Sequence, residues 1–181
     1  GEKMRTISFL TITLVAATSL AVAGDLSGRR APGFSLPDSK MRQHDLQDHR
    51  GKLVLIDIIQ TGCPTCRTFS GILEQVKAKY AGRVATLTVV NPPDTINTVQ
   101  AFITQLKVTS PVLFDCGQMS ASYLKVTPDR PQVHVPHLFI VDAQGMIVDD
   151  YGSSEQTKAV FEGQGIFPIL DRLLGAAPAR K

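Results

Sequence analysis

The sequence predicts an α/β domain built on a central mixed β-sheet flanked by helices. Three observations predict it. Strand-like and helix-like patterns alternate between Lys52 and Leu124. The first of these strands, in the run Lys52–Ile59, reads LVLIDII, a continuous apolar stretch with the length and β-branched content of a strand buried on both faces. Further on, Leu138–Val141 and Met146–Tyr151 flank Asp142-Ala143-Gln144-Gly145, a hairpin signal that adds antiparallel strands to the set.

The elements follow in chain order. Asp25–Arg30 reads as a polar linker, and Ala31–Asp38 as an extended segment broken by prolines. Gly51 leads into the buried strand. Cys63–Tyr80 reads as a helix, because Phe69, Ile72, Leu73, Val76 and Tyr80 recur near a 3.6-residue period and Gly82 supplies a stop. Val84–Val90 is a second strand, ended by Asn91-Pro92-Pro93, since proline cannot donate to a central ladder. Thr95–Lys107 is an amphipathic helix carrying Ile96, Val99, Phe102, Ile103 and Leu106. Val112–Phe114 is a short strand and Ser120–Leu124 a helical turn. After the hairpin, a last helix covers roughly Glu155–Leu174, interrupted near Gly163 and Gly165. No internal repeat is present. The expected organisation is a linker over 24–30, one domain over 31–175 and a short Ala/Pro-rich tail over 176–181.

A chain of 181 residues suits one domain of this kind. A formal charge of +3 is too weak to argue for nucleic acid or an anionic membrane as a partner. The N-terminus is more informative. Lys3 and Arg5 precede an almost charge-free run, Thr6–Val22, and Ala21-Val22-Ala23 follows with small residues in the A-x-A spacing. That layout predicts a secretory signal peptide over 1–23, cleaved after Ala23. The alternative is a retained anchor, for which the run is marginal against about 30 Å of hydrocarbon. Both readings place the folded part outside the cytoplasm, in a bacterial periplasm or cell envelope.

In such a compartment the cysteines carry the argument. There are only 3, too few to staple a scaffold, and two lie in Thr61-Gly62-Cys63-Pro64-Thr65-Cys66, between the buried strand and the first helix. The first turn of a helix brings two such residues within disulfide reach. It also points unpaired backbone N–H groups and the positive end of the helix dipole at the N-terminal sulfur. Both favour the thiolate, the attacking species in disulfide exchange. Pro64 is tolerated there because a first-turn N–H has no helical partner to lose. Cys63 is therefore expected to be the exposed nucleophile and Cys66 the buried resolving thiol. The alternative is half of a zinc site, which would need a second ligand pair. The candidates are poor: Cys116 stands alone, and His134 and His137 are separated by Val135-Pro136.

At this point the sequence resembles the thioredoxin superfamily, in particular its exported TlpA/ResA-like, redoxin branch of the AhpC/TSA type. The likeness runs over roughly Ala31–Leu174. It rests on the strand–CxxC–helix unit Leu53–Tyr80, on Asp57 six residues before Cys63, and on Val135-Pro136 ahead of His137-Leu138-Phe139-Ile140-Val141-Asp142. The resemblance implies a thioredoxin-like fold in which Pro136 is a cis-proline beside the disulfide and the backbone of Val135 pairs with a bound substrate segment. Pro64 and Thr65 would lie at the same substrate surface. The long separation of Cys66 from Pro136 suggests an extra strand–helix insertion between the CxxC helix and the cis-proline strand. Asp57 also stands on its own evidence: it is the only ionisable residue in LVLIDII, and burial raises a carboxyl pKa, which suits proton exchange with Cys66. An Asp bonded to backbone or water at the strand's end is the other reading, as an ordinary edge proline is for Pro136.

The chain also departs from that pattern. Gly62 stands where the family commonly has Trp, and the chain contains no Trp. Phe69 occupies the place where some cytochrome-maturation members carry a functional Glu, and Pro64-Thr65 differs from the Gly-Pro of thioredoxin. The potential is thus open between about −270 and −120 mV. Cys116 is read as a lone buried thiol acting as a small hydrophobe, the alternatives being a third redox thiol or an intermolecular bridging partner. His44, His49, His134 and His137 are read as surface or loop residues. For His134 and His137, which flank Pro136, the alternative is contact with substrate or tuning of Cys63.

The expected function is disulfide exchange with client proteins, as a reductase fed by a membrane-embedded electron donor, with no bound cofactor and no metal. Two alternatives come from other classes. Cys63-Pro64-Thr65 matches a fragment of a peroxiredoxin site, although Gln60 replaces its Thr. A copper carrier would use Cys63, Cys66 and His134 or His137, since soft thiolates favour Cu(I).

Overall fold

The run LVLIDII forms a seven-residue strand in which every side chain is buried. In the computed structural model, which describes residues 24–175, this strand lies near the middle of a six-stranded sheet. The proposed signal peptide (1–23) and tail (176–181) lie outside the described residues.

In chain order the elements are β1 (Arg29–Arg30), β2 (Ser35–Pro37), β3 (Gln43–Asp45), a 3-10 turn (Leu46–His49), β4 (Leu53–Ile59), α1 (Pro64–Lys79), β5 (Val84–Val90), α2 (Ile96–Leu106), β6 (Val112–Phe114), α3 (Gln118–Leu124), β7 (His137–Val141), β8 (Met146–Gly152), α4 (Lys158–Phe161) and α5 (Ile166–Gly175). The main sheet runs β1-β8-β7-β4-β5-β6. β4, β5 and β6 are parallel, while β7, β8 and β1 each join antiparallel. Between α1 and β7 stand two strand–helix units, β5–α2 and β6–α3; one of them is the insertion expected from the spacing of Cys66 and Pro136.

Side chains alternate across a strand, so β4 feeds two cores. Leu53 and Leu55 pack with Phe69, Leu73 and Val76 of α1 and with α4 and α5. Val54, Ile56 and Ile58 pack on the opposite face with Phe34, Leu46 and Tyr123. A third cluster joins Ile59, Cys66 and Val90 to Val99 and Phe102 of α2. Burial of these side chains, at roughly 1.5–3 kcal/mol for each large one, is the main driving force for this layering.

The N-terminal segment differs from its sequence reading. Residues 24–30, expected to be a linker, are tied to the sheet edge: Arg29 and Arg30 pair with Ile147 and Met146, and the Leu26 N–H donates to Asp150 Oδ1 at 3.0 Å. A Cβ on Gly24 would lie 2.3 Å from Asp150 Oδ2, so a larger residue here would have to displace that carboxylate. The proline-broken stretch becomes a hairpin of β2 and β3, whose turn is held by Asp38; that carboxylate accepts from Arg42 Nε at 2.8 Å and lies 3.1 Å from His44 Nε2.

Glu74 of α1 fastens the loop before β6. Its carboxylate accepts from the N–H of Thr109 at 2.9 Å, the N–H of Ser110 at 3.0 Å and the Ser110 hydroxyl at 2.9 Å. Burial alone would raise its pKa, but these hydrogen bonds outweigh it and hold the carboxyl below its usual 4.5. A lowered folded-state pKa gives stability that is present above the unfolded value and is lost as pH falls through the folded one. Glu74→Gln is therefore expected to cost about 1 kcal/mol at pH 7, discounted for partial solvation. The difference from wild type should shrink below about pH 4.5 in urea melts; a constant difference down to pH 2.5 would refute the charge assignment.

Candidate active site

β4 delivers the chain to the carboxyl edge of its parallel strands, and a tight turn follows: the Cys63 N–H donates to the Gln60 carbonyl at 3.0 Å. Cys63 then caps α1. Its φ of −77° and ψ of 121° are extended, and its sulfur accepts the Cys66 N–H at 3.2 Å. Pro64 occupies the first helical turn, where no N–H is needed. The two cysteines form a disulfide with Cα atoms 5.2 Å apart. Cys66 is fully buried, Cys63 partly exposed, and Pro64 and Thr65 exposed. In the reduced form the Cys63 sulfur faces the free N–H groups and the positive dipole end of a sixteen-residue helix, which favours its thiolate.

The other expected residues gather at the same end. Val135 packs against the cluster that holds Cys63 and Cys66, and the Val135–Pro136 peptide is cis. Asp57 is fully buried, and by alternation it faces the same side as Leu55 and Ile59, beneath α1. Neither of its carboxyl oxygens has a hydrogen-bond partner among the described residues. Desolvation pushes its pKa well above the ordinary 3.8. Burial thus disfavours the charged form of Asp57, on the face of β4 that α1 covers.

Two expectations need correction. Cys116 is exposed, not buried, because it follows β6 in a turn whose buried residue is Asp115; that carboxylate accepts the Met119 and Ser120 N–H groups at the start of α3. His137 is a buried strand residue rather than a surface one. It stacks on Phe139 with ring centroids 4.5 Å apart, and its Nε2 lies 3.2 Å from Asp150 Oδ2, so a hydrogen bond offsets the cost of burial. His134 is exposed, as expected.

Sequence reasoning passed over the residues that brace the Cys63 turn. The Thr61 N–H donates to Asp94 Oδ2 at 2.9 Å, and the Thr61 hydroxyl donates to Asp94 Oδ1. Arg67 donates to the Thr61 carbonyl at 3.2 Å. Thr61 and Asp94 lie 33 positions apart, and no local pattern announces that contact.

Known proteins agree with this geometry. The AhpC/TSA family pattern matches residues 27–150. The thioredoxin-like protein YneN of Bacillus subtilis is 30% identical over 128 residues, covering 70% of this chain and 71% of that protein. The thiol-disulfide oxidoreductase ResA of Bacillus thuringiensis is 27% identical over 136 residues, 75% of either chain. Among solved structures, a thiol:disulfide interchange protein of the thioredoxin family from Chlorobium tepidum superposes with a TM-score of 0.67 at 18% identity, over 81% of this chain and 97% of that one, a likeness of fold. With a helix-capping Cys63–Cys66 pair set in that fold, the chain belongs to the AhpC/TSA family and is a thioredoxin-like thiol–disulfide oxidoreductase.

Proposed function

We propose that the protein works outside the cytoplasm as a reductase of client-protein disulfides. The observation that carries the reading is the asymmetry of the pair: a partly exposed Cys63 sulfur at the cap of α1 and a fully buried Cys66 one turn below. The Cys63 thiolate attacks one sulfur of a client disulfide, forming a mixed disulfide and expelling the client's other sulfur as a thiolate, which takes a proton. Cys66, deprotonated by the Asp57 carboxylate, then attacks the Cys63 sulfur. That step closes the Cys63–Cys66 disulfide and releases the second client thiol, so the client gains the two electrons the enzyme loses. A membrane-embedded donor returns those electrons. Val135, with the exposed Pro64 and Thr65, offers the surface on which the client segment lies, and the buried Pro136 sets the backbone beneath it.

The location rests on the charged start, apolar run and A-x-A ending of residues 1–23. Among the described residues no helix is long and apolar enough to cross a membrane.

Equilibration of residues 24–181 in glutathione buffers, with free thiols counted by alkylation and mass, tests the reading. We expect a reversible two-electron transition confined to Cys63 and Cys66, nearer to about −270 mV than to about −120 mV. A pair that never cycles, or that closes only through Cys116, would overturn the exchange mechanism. A potential near the upper figure would make the protein an oxidant instead.

A further inference from the structure

We infer that Asp94 and Arg67 are paired positioning residues of the exchange reaction, gripping the Cys63 turn through Thr61 and placing opposite charges two residues before the attacking thiol. This inference rests on the reading of Cys63 as the attacking thiol.

The geometry is specific to Thr61. This residue is buried, and each of its polar groups is taken up by one of the two charged side chains. Asp94 accepts both the N–H, at 2.9 Å, and the hydroxyl. Arg67 donates to the carbonyl at 3.2 Å. Both braces are themselves fixed to α2. Asp94 stands just before the Thr95 cap and its Oδ1 accepts the Thr98 hydroxyl at 3.0 Å. Arg67 reaches across to Gln105 Oε1 at 2.9 Å, with its guanidinium 5.9 Å from the centre of the Phe102 ring. Arg67 also belongs to the first turn of α1, where its N–H donates to the Cys63 carbonyl at 3.1 Å.

The Cα atoms of Thr61 and Cys63 lie at most about 7 Å apart, so both charges are anchored on the short turn that carries the attacking sulfur. The arginine favours its thiolate and the aspartate opposes it. Asp94 and Arg67 grip different atoms of Thr61, so each charge can be removed without removing the other. The other titratable groups around the turn are Cys66 and Asp57, beneath it, and His134, on the loop before β7; none of them is hydrogen-bonded to Thr61 among the described residues. The N–H and hydroxyl take the carboxylate and the carbonyl takes the guanidinium, so the two grips bring charges of opposite sign to one residue. Here the turn is held by two charges that offset each other in their action on the attacking thiol.

The test is the pH profile of Cys63 alkylation by iodoacetamide in the reduced protein, with the modified residue mapped by mass. Asp94→Asn is expected to move the midpoint down and Arg67→Met to move it up, each by about half a unit to one unit at low salt. The double variant should return towards wild type. Thr61→Val loosens the turn without changing charge, and its midpoint should stay in place even though it melts earlier. Shifts of the same sign in both single variants, no shift in either, or a Thr61→Val shift as large as that of Asp94→Asn would overturn the inference. If Cys66 were alkylated ahead of Cys63, the reading of Cys63 as nucleophile would fail instead, and the two failures are distinguishable.

Discussion

Replacing Cys66 with serine is expected to turn the enzyme into a trap, lowering turnover by at least about a thousand-fold while leaving the first attack intact. The expectation follows from the geometry of the pair. Once Cys63 is joined to a client, the Cys66 sulfur already stands one helical turn away, within the 5.2 Å Cα separation of the closed disulfide. Intramolecular attack from such a position has an effective concentration of roughly 10⁵ M or more, which no millimolar external thiol can match. A serine hydroxyl cannot replace the thiolate at neutral pH, so the mixed disulfide should accumulate one-to-one through Cys63. Cys63→Ser should show neither adduct nor turnover, because the remaining sulfur at residue 66 is fully buried. Intact mass after mixing with a disulfide-bonded client decides the matter. An adduct on Cys116, or Cys66→Ser turnover near the wild-type level, would sink the two-thiol mechanism.

Much of this site could be read from residues alone, because its strongest signals are local. LVLIDII is short and β-branched, as a strand buried on both faces is, and the Phe69–Tyr80 periodicity extends back to a first turn that holds Cys63 to Cys66. Strands Val84–Val90 and Val112–Phe114 coincide with their sequence patterns for the same reason. What stayed hidden is decided by partners far along the chain. Arg29-Arg30 has no strand pattern; it is a strand because the edge of β8 offers unpaired backbone groups. His137 looked like a loop histidine because nothing beside it in sequence announces Asp150. Cys116 was expected inside because its type is commonly buried, yet the inward place at that turn belongs to Asp115, which holds the start of α3. The braces on Thr61 belong to the same class, since a contact between residues 61 and 94 exists only after β5 has placed the start of α2 beside the Cys63 turn.

Asp57→Ala should make the protein more stable and a worse enzyme, a combination that a structural aspartate cannot produce. The wild-type carboxyl is fully buried, and neither oxygen finds a partner among the described residues, so it carries a desolvation cost with no hydrogen bond to offset it. Removing it should raise the unfolding free energy by about 1–3 kcal/mol at pH 7. The pH dependence fixes the cause. Burial raises the folded-state pKa above the ordinary 3.8, so the folded chain keeps a proton that the unfolded chain releases. Stability from this group is therefore complete below the unfolded value and falls as pH rises towards the folded one, by up to about 1.4 kcal/mol per pH unit. That slope should be missing from the Asp57→Ala variant, so the gap between the two proteins should narrow as pH falls towards about 3.5. In catalysis the loss should appear in one step only. Resolution of the mixed disulfide needs a base for the buried Cys66 thiol, and without the carboxylate its decay should slow by about 10²-fold. Attack by the partly exposed Cys63, which draws on the helix terminus instead, should keep its rate. Stopped-flow decay of the mixed disulfide, set beside urea melts across pH 3.5–8.5, separates the two effects. Unchanged decay would remove Asp57 from the mechanism, and an unchanged slope would mean that its proton is not held by burial. A residue kept at a cost to stability, on the face of β4 that α1 covers, is explained if the cost is incurred so that a proton can be moved.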